Sequence, residues 1–267
     1  MADALVLWGR LIGAQVRSQL QYRLSFALDI VGAFLISFLD FLAVLVIFHN
    51  VPQLAGWSIR EVAFLYAASS ISFALADLVI GHLDLFPQKI RDGSFDIVLI
   101  RPRGTLFQIV ASDFQLRRLG KAVQGLLVLA YALSALSIDW NVGRVAMLVL
   151  MIPTGTVVFS AVWVVGSCIA FWTTEGGEFT NAFTYGGNFL TQYPIDIFSS
   201  WARRFLAYLV PLAFVCYFPA LYVLRKQDSL GFPRAIEFAS PLVALVAASV
   251  AGVVWRVAVR RYRSTGS

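Results

Sequence analysis

Long stretches of the chain carry almost no charged residue, and this pattern limits what the chain can fold into. The segment 142–172 is interrupted only by Arg144, and short charged clusters separate it from other such stretches. Only 13% of the residues are charged, whereas soluble domains carry nearer a quarter. A run of about 20 apolar residues crosses a bilayer as a helix, because a helix satisfies its own backbone hydrogen bonds. The sequence therefore predicts an all-α membrane protein that spans the bilayer several times.

We predict a single transmembrane domain over 1–267, with six spans after an amphipathic helix at 4–23. The spans are placed at 25–48, 59–82, 119–138, 145–172, 177–193 and 238–255. The first helix has arginines on one face and apolar side chains on another, which is typical of a helix lying flat in the membrane interface. The alternative is that it extends the first span.

The fifth span has two candidate positions. Hydropathy favours 205–224, which has no charge but contains Pro211 and Pro219. The alternative is 177–193, which is polar, with the region 197–225 then dipping back into the membrane as two short helices. Such backbone is tolerated at membrane depth only where protein or water covers it.

Charge distribution predicts an orientation. Both versions place the two termini on the same side, and more basic residues fall on that side than on the other, so the positive-inside rule predicts cytoplasmic termini. The net charge of +6 indicates contact with anionic lipid rather than nucleic acid, because the basic residues flank apolar spans. Cys168 and Cys216 lie in apolar runs, and His49 and His82 lie near opposite faces. We therefore expect neither a metal site nor a catalytic group of residues.

The most informative segment is the charged loop 83–118 between the second and third predicted spans. Its core reads Arg91-Asp92-Gly93-Ser94-Phe95-Asp96-Ile97-Val98-Leu99-Ile100-Arg101-Pro102. A second motif is Tyr193-Pro194-Ile195-Asp196-Ile197-Phe198. Both resemble the ABC-2 family of exporter permeases, in the branch with an arginine-x-glycine-x-x-aspartate-x-x-leucine-x-arginine-proline pattern in the first cytoplasmic loop. In such permeases an aromatic–proline pair closes the fifth span and opens an outer re-entrant pair, which favours the span at 177–193.

The resemblance implies a permease subunit of an ATP-driven exporter in the bacterial inner membrane. A second permease chain, identical or homologous, would complete the substrate pathway. Two separate ATPase subunits would bind ATP and Mg²⁺, and this chain would bind no cofactor itself. No glycine-rich phosphate-binding loop followed by Lys and Ser or Thr occurs in the sequence, so we expect it not to be an enzyme.

The same resemblance implies which residues couple the chain to the ATPase, with a coupling helix at 84–90. They are Asp84, Leu85, Phe86, Lys89, Arg91, Asp92, Gly93, Asp96, Arg101 and Pro102. The alternative is a solvated loop that faces lipid headgroups. The length of the loop and its Gly and Pro residues favour the coupling role.

A polar stripe predicts the lining of a transport pathway or a contact between helices, and the sequence does not separate the two. The stripe recurs at steps of three and four residues through the predicted fifth span, and polar groups there must face protein or water. Asp40 lies inside the first span, where a carboxylate costs about 2.5–3.5 kcal/mol and ordinarily has a partner or a role. Asp29 and Asp77 are expected to snorkel or to bond nearby backbone. The predicted pathway residues are Asp40, Asn181, Thr184, Tyr185, Asn188 and Gln192.

Two functions from other classes remain as alternatives. An intramembrane enzyme would need a convergent nucleophile or metal set, which the sequence lacks. A structural membrane protein would differ from a permease in having no ATPase partner.

Overall fold

The computed structural model describes residues 2–173, 176–228 and 231–262, with side chains from residue 9 onward. Side chains 4–8 of the predicted amphipathic helix therefore lie outside the described part. Across the described ranges the chain is helical and has no strand, apart from an isolated bridge between Leu54 and Trp57. The predicted all-α class is confirmed.

A helix lies at each of the six predicted span positions, and short helices occupy the two regions between them. The α-helices are α1 (Ala2–Gln19), α2 (Arg23–Asn50), α3 (Ile59–Ile80), α4 (Phe86–Arg91), α5 (Phe95–Leu99), α6 (Thr105–Val110), α7 (Leu119–Ala135), α8 (Val142–Ser167), α9 (Gly176–Thr191), α10 (Ser200–Arg204), α11 (Tyr217–Leu224) and α12 (Ser240–Arg261).

Among the residues that the structure describes, four helical runs are long and apolar enough to cross a membrane. They are Gly9–Asn50, Ile59–Arg91, Val142–Phe171 and Ser240–Arg261. The helices α7 and α9 have 17 and 16 residues, fewer than the roughly 20 that an untilted span needs. The first run has 42 residues and measures about 63 Å, so a hydrocarbon core of about 30 Å can hold only part of it. A non-helical ψ of 63° at Tyr22 separates α1 from α2.

The segment between α9 and α12 contains a sharp bend. Ser200–Leu209 and Leu212–Leu224 together are apolar enough to cross a membrane, but they meet at 78°. Pro211 stands at the break, where its missing N–H and fixed φ stop a helix from continuing. The pair is thus a broken span or a re-entrant loop, and a straight helix over 205–224 does not form.

The central helix is α3, and small side chains allow its neighbours to approach it. In its apolar stretch 89% of the residues are buried, with α7, α8 and α9 packed around it. Because lipid is as apolar as the side chains, helices in a membrane associate through close packing at small residues. At the crossing with α8, a Cβ on Gly155 would lie 2.7 Å from Ser72 Oγ. This crossing therefore requires glycine.

The helices α2 and α12 lie at the outside of the bundle, against α7 and α8 respectively. Only 17% of the apolar stretch of the first run and 22% of that of α12 are buried. The exposed residues are mostly apolar, among them Leu28, Leu35 and Leu39 on α2. Such a surface is suited to lipid or to another protein rather than to water.

Candidate functional site

The bundle has two ends, which differ in their composition. The loop end comprises residues 81–118, the start of α7, the end of α8, the start of α9 and the end of α12. The far end comprises the loop 51–58, the start of α8, the end of α9 and the bent pair. The end of α1 joins the loop end, because Gln15 Nε2 donates to Ser112 O at 2.7 Å and Gln19 Nε2 donates to Phe114 O at 2.6 Å.

The predicted coupling residues divide into an exposed set and an inward set. The exposed residues are Leu85, Arg91, Asp92, Arg101 and Pro102, and the partly buried ones are Lys89, Gly93 and Asp96. The remaining two, Asp84 and Phe86, direct their side chains into the bundle. The predicted coupling helix at 84–90 begins later than expected. Asp84 lies in the 3₁₀ turn Gly81–Leu85 and α4 starts at Phe86, with Pro87 in the first turn, where no N–H is needed.

An aromatic cluster anchors α4 to the bundle. The ring of Phe86 is fully buried and lies 5.5 Å from Phe95, 5.2 Å from Phe171 and 5.2 Å from Trp255, measured between ring centroids. Trp255 also donates from Nε1 to Thr105 Oγ1 at 3.0 Å. Helices α4, α5, α6 and α12 therefore share one packed base, which limits how far the exposed residues above it can move independently.

The turn between α4 and α5 depends on glycine. Gly93 has a φ of 70°, a conformation that costs other residues strain. Before it, Asp92 Oδ1 accepts a hydrogen bond from the backbone N–H of Ser94 at 2.9 Å. Hydrogen bonding with the side chain and then the backbone of Ser94 lowers the pKa of Asp92 below its usual value. The exposed Asp92 therefore stays negatively charged at neutral pH.

A carboxylate joins three elements at the loop end. Asp84 Oδ1 accepts a hydrogen bond from Trp163 Nε1 on α8 at 2.7 Å, and Asp84 Oδ2 accepts one from the hydroxyl of Tyr185 on α9 at 2.9 Å. We call Asp84, Trp163 and Tyr185 the near junction. It connects the turn before α4 directly to two long helices.

The far end has a junction of the same chemical type. Asp196 Oδ2 accepts from Trp57 Nε1 at 2.6 Å, and Asp196 Oδ1 accepts from the hydroxyl of Tyr217 at 3.1 Å. We call Asp196, Trp57 and Tyr217 the far junction. Beside it, Lys226 Nζ lies 3.2 Å from Glu61 Oε2 and 4.6 Å from the centroid of the Trp57 ring. These contacts hold the bent pair against the start of α3.

Buried charges near the loop end compensate one another. Asp77 Oδ2 on α3 lies 3.0 Å from Arg118 Nε, and the Asp77 side chain is 1% exposed. Asp77 was expected to snorkel or to bond backbone, and that interpretation is wrong, because Arg118 lies within reach at the start of α7. Gly81 permits the arrangement, since a Cβ at that position would overlap the Asp77 carboxylate.

Asp40 lies on the exposed side of α2. It interacts electrostatically with Lys121 on α7, which also interacts with Asp77. The Lys121 ammonium lies 4.4 Å from the centroid of the Phe73 ring, in the geometry of a cation–π contact. A positive charge of the chain's own thus lies near Asp40. This weakens the case for a cationic substrate at Asp40 and leaves contact with a neighbouring chain.

Most of the polar stripe on α9 is used in packing. The hydroxyls of Thr180 and Thr184 bond to carbonyls of their own helix. Thr191 Oγ1 lies 2.5 Å from Ser69 Oγ on α3, and Gln192 Nε2 donates to Ser70 Oγ at 3.3 Å. These contacts correspond to the predicted contact between helices.

Two side chains of the polar stripe on α9 each have a hydrogen-bond acceptor without a donor among the described residues. The side-chain carbonyls of Asn181 and Asn188 are buried and accept no hydrogen bond from the described residues. A buried polar atom without a partner costs about 1–3 kcal/mol. Within the described part of the chain, the packing of α9 thus leaves these two carbonyls enclosed and without a donor.

Comparison with known proteins identifies the family. A family model described as ABC-2 family transporter protein matches residues 34–266, which include α3 to α12 and both junctions. The chain belongs to the ABC-2 family of transporter proteins. No curated protein and no solved structure matches it. This ABC-2 permease is therefore a multi-pass membrane component of an ABC transporter, a class that associates with ATPase subunits.

The sequence indicated the loop of this ABC-2 permease but not the junctions. Asp84 was predicted on the coupling helix, facing a partner, and Trp163, Trp57 and Tyr217 were not singled out. No spacing marks them, because the partners of Asp84 are 79 and 101 residues away in the chain. The one available signal was that an acid, a Trp and a Tyr occur in otherwise apolar surroundings, where polar groups need partners.

Proposed function

We propose that this ABC-2 permease is the transmembrane half of an ATP-driven exporter. It would form the substrate pathway with a second permease chain, identical or homologous, and be driven by two ATPase subunits bound at the loop end. The observation that carries the proposal is the exposed set of the coupling segment 84–102. Leu85, Arg91, Asp92, Arg101 and Pro102 are exposed on a base fixed by Phe86, which is suited to receiving force from a partner.

The exposed face of α2 supports a second permease chain. Asp40 lies in the most apolar part of the first run and is exposed in the single chain. A carboxylate facing hydrocarbon costs about 2.5–3.5 kcal/mol, so such groups turn towards protein or water. A partner chain on this face would cover both Asp40 and the apolar side chains around it.

The proposed topology has six spans with both termini in the cytoplasm of a bacterial inner membrane. It places α7 and α9 as short spans shielded by longer neighbours, and the bent pair as a re-entrant loop on the outer side. Helix α1 would then lie in the inner interface, beside the end of the loop 83–118, where Ser112 and Phe114 accept hydrogen bonds from Gln15 and Gln19. The proposed cargo contacts are the free carbonyls of Asn181 and Asn188.

Purification of the tagged chain in mild detergent, with mass spectrometry of its partners, tests this proposal. We expect an ATPase subunit with a phosphate-binding loop in near-equal amount, together with a second permease. Charge reversal at Asp92 should reduce ATPase recovery, whereas the same change at Asp29, an exposed acid on α2, should not. Repeated recovery of the chain alone would contradict the proposal.

A further inference from the structure

We propose that Asp84 is the positioning residue through which movement of the coupling segment reaches α8 and α9. This inference rests on the proposed function and deepens it, because it names the contact that carries the motion. Loop and helices touch at other points too, but the near junction uses both oxygens of one carboxylate on two different helices.

The position of Asp84 in the chain makes it suited to this role. It lies in the 3₁₀ turn that ends at Leu85, immediately before α4. A displacement of α4 must therefore be accommodated within this turn or be passed on by it. Hydrogen bonds to a carboxylate are stronger than those between neutral groups. The Trp163 and Tyr185 side chains therefore follow Asp84 when it is displaced.

The two donors are also locked to each other and to α3. The Phe73 ring centroid lies 5.3 Å from that of Trp163 and 5.3 Å from that of Tyr185, and the latter two lie 5.7 Å apart. Trp163 and Phe73 are fully buried. Close-packed rings transmit a displacement because they have no empty space to absorb it. A pull on Asp84 therefore moves α8 and α9 together.

Tyr185 connects this movement to the polar face of α9. The same helix carries Asn181 and Asn188, whose carbonyls remain free. If these groups contact cargo, Asp84 lies between the site of the ATPase stroke and the site of binding. Coupling between two sites needs an element that can adopt two arrangements, and binding at either site must shift the balance between those arrangements.

The far junction supplies a matched control. It has the same carboxylate, Trp and Tyr chemistry, with bonds of 2.6 Å and 3.1 Å, but its partners are the loop 51–58 and the bent pair, and its tyrosine hydroxyl also lies 3.4 Å from Asp228 Oδ1. Tyr185→Phe and Tyr217→Phe each remove one hydroxyl and retain the ring. Because each change is small, both variants should fold. Asp84→Asn and Asp196→Asn form a second, stronger pair.

The experiment measures amide hydrogen exchange by mass spectrometry on the complex purified with its ATPase, with and without ATP and vanadate. In the unmodified complex we expect nucleotide-dependent changes in peptides covering 86–92 and 176–185. In Tyr185→Phe and Asp84→Asn, the change in 86–92 should persist while that in 176–185 falls about fivefold or more. In Tyr217→Phe and Asp196→Asn, both changes should persist.

Three outcomes would overturn the inference. The change in 176–185 could survive in both near-junction variants, or it could be lost equally in the far-junction variants, which would indicate a general loss of packing. The third outcome is an unmodified complex that retains its ATPase but shows no nucleotide-dependent exchange in either peptide. That result would reject both the role of Asp84 and coupling through the loop. Absence of any ATPase would instead reject the proposed function itself.

Discussion

The two ends of this ABC-2 permease hold a carboxylate in the same way but in different surroundings. At the loop end, Asp84 is bound beside packed rings and near the buried Asp77–Arg118 pair. At the far end, Asp196 is bound beside an open cavity of about 370 Å³ that Lys226 also lines. The same three-residue chemistry thus lies beneath the coupling segment at one end and beside a cavity at the other, with Trp57 and Tyr217 themselves buried.

The difference shows how one chemical group can have two mechanical consequences. Close packing around the near junction leaves no space in which the carboxylate can shift alone, so a displacement of the carboxylate also moves its hydrogen-bond partners. In the far junction only Asp196 is partly exposed, and the hydroxyl of Tyr217 also lies 3.4 Å from Asp228 Oδ1, so that contact joins the bent pair to the loops around it rather than to two long helices. We therefore expect the near junction to transmit motion and the far junction to hold the bent pair in place.

The largest expected effect is from breaking the buried ion pair. Arg118→Gln removes the guanidinium paired with the carboxylate of Asp77, which is 1% exposed, and leaves it only the electrostatic interaction with Lys121. Removing one partner of a buried pair costs about 3 kcal/mol or more. Thermal unfolding in detergent should show a clearly lowered midpoint. The control is Arg117→Gln at the neighbouring exposed position, and equal midpoints in the two variants would contradict the claim.

The next effect is from removing each junction carboxylate. Asp84→Ala leaves both the Trp163 indole N–H and the Tyr185 hydroxyl without an acceptor, which should cost about 2–3 kcal/mol. Asp196→Ala should cost less, because the Tyr217 hydroxyl keeps Asp228 Oδ1, 3.4 Å away, as a second acceptor. Denaturation in detergent measures both variants. A larger loss for Asp196→Ala would reverse the proposed contrast between the two ends.

A smaller effect distinguishes the two tyrosines. Tyr185→Phe removes the hydroxyl that donates to Asp84, and Tyr217→Phe removes one that reaches both Asp196 and Asp228. Because a hydroxyl has one proton to donate, each change should cost about 1.5 kcal/mol. Their stabilities should therefore be similar, while ATP-driven transport should fall much more in Tyr185→Phe. Vesicles containing the full complex, loaded with a fluorescent hydrophobic cation as probe, would measure transport. Equal transport in both variants would remove the mechanical distinction.

The smallest effects concern ion pairs at the far end. Lys226 is 22% exposed and Glu61 is 19% exposed, whereas the Arg225–Asp139 pair has side chains that are 62% and 72% exposed. Exposed pairs contribute about 0–1 kcal/mol. Lys226→Gln should thus lower the unfolding midpoint slightly, and Arg225→Gln should not change it measurably. If Arg225→Gln were the more damaging change, exposure would not be what sets the strength of these contacts.

Part of this architecture was readable from local sequence. Helices lie at all six predicted span positions, and Pro211 marks the bend of 78°, because apolar runs and proline act on the few residues around them. Short motifs led to the prediction of a coupling loop at 83–118 and of the ABC-2 family; the match over 34–266 confirms the family, and the coupling role stays a prediction. The number of helices that cross the membrane is harder to predict from short stretches of sequence, since α7 and α9 are shorter than a usual span.

The residues that join the helices were decided only by the tertiary structure. Composition and periodicity predicted an all-α membrane protein, and short motifs indicated the ABC-2 family, because all of these depend on neighbours along the chain. It did not establish that Asp77 pairs with Arg118, nor that Asp84 turns inward to Trp163 rather than outward to a partner. Such contacts form between residues far apart in the chain, and their geometry depends on how closely Ser72 and Gly155 let the helices approach. A buried carboxylate bonds whichever donors that packing brings within reach.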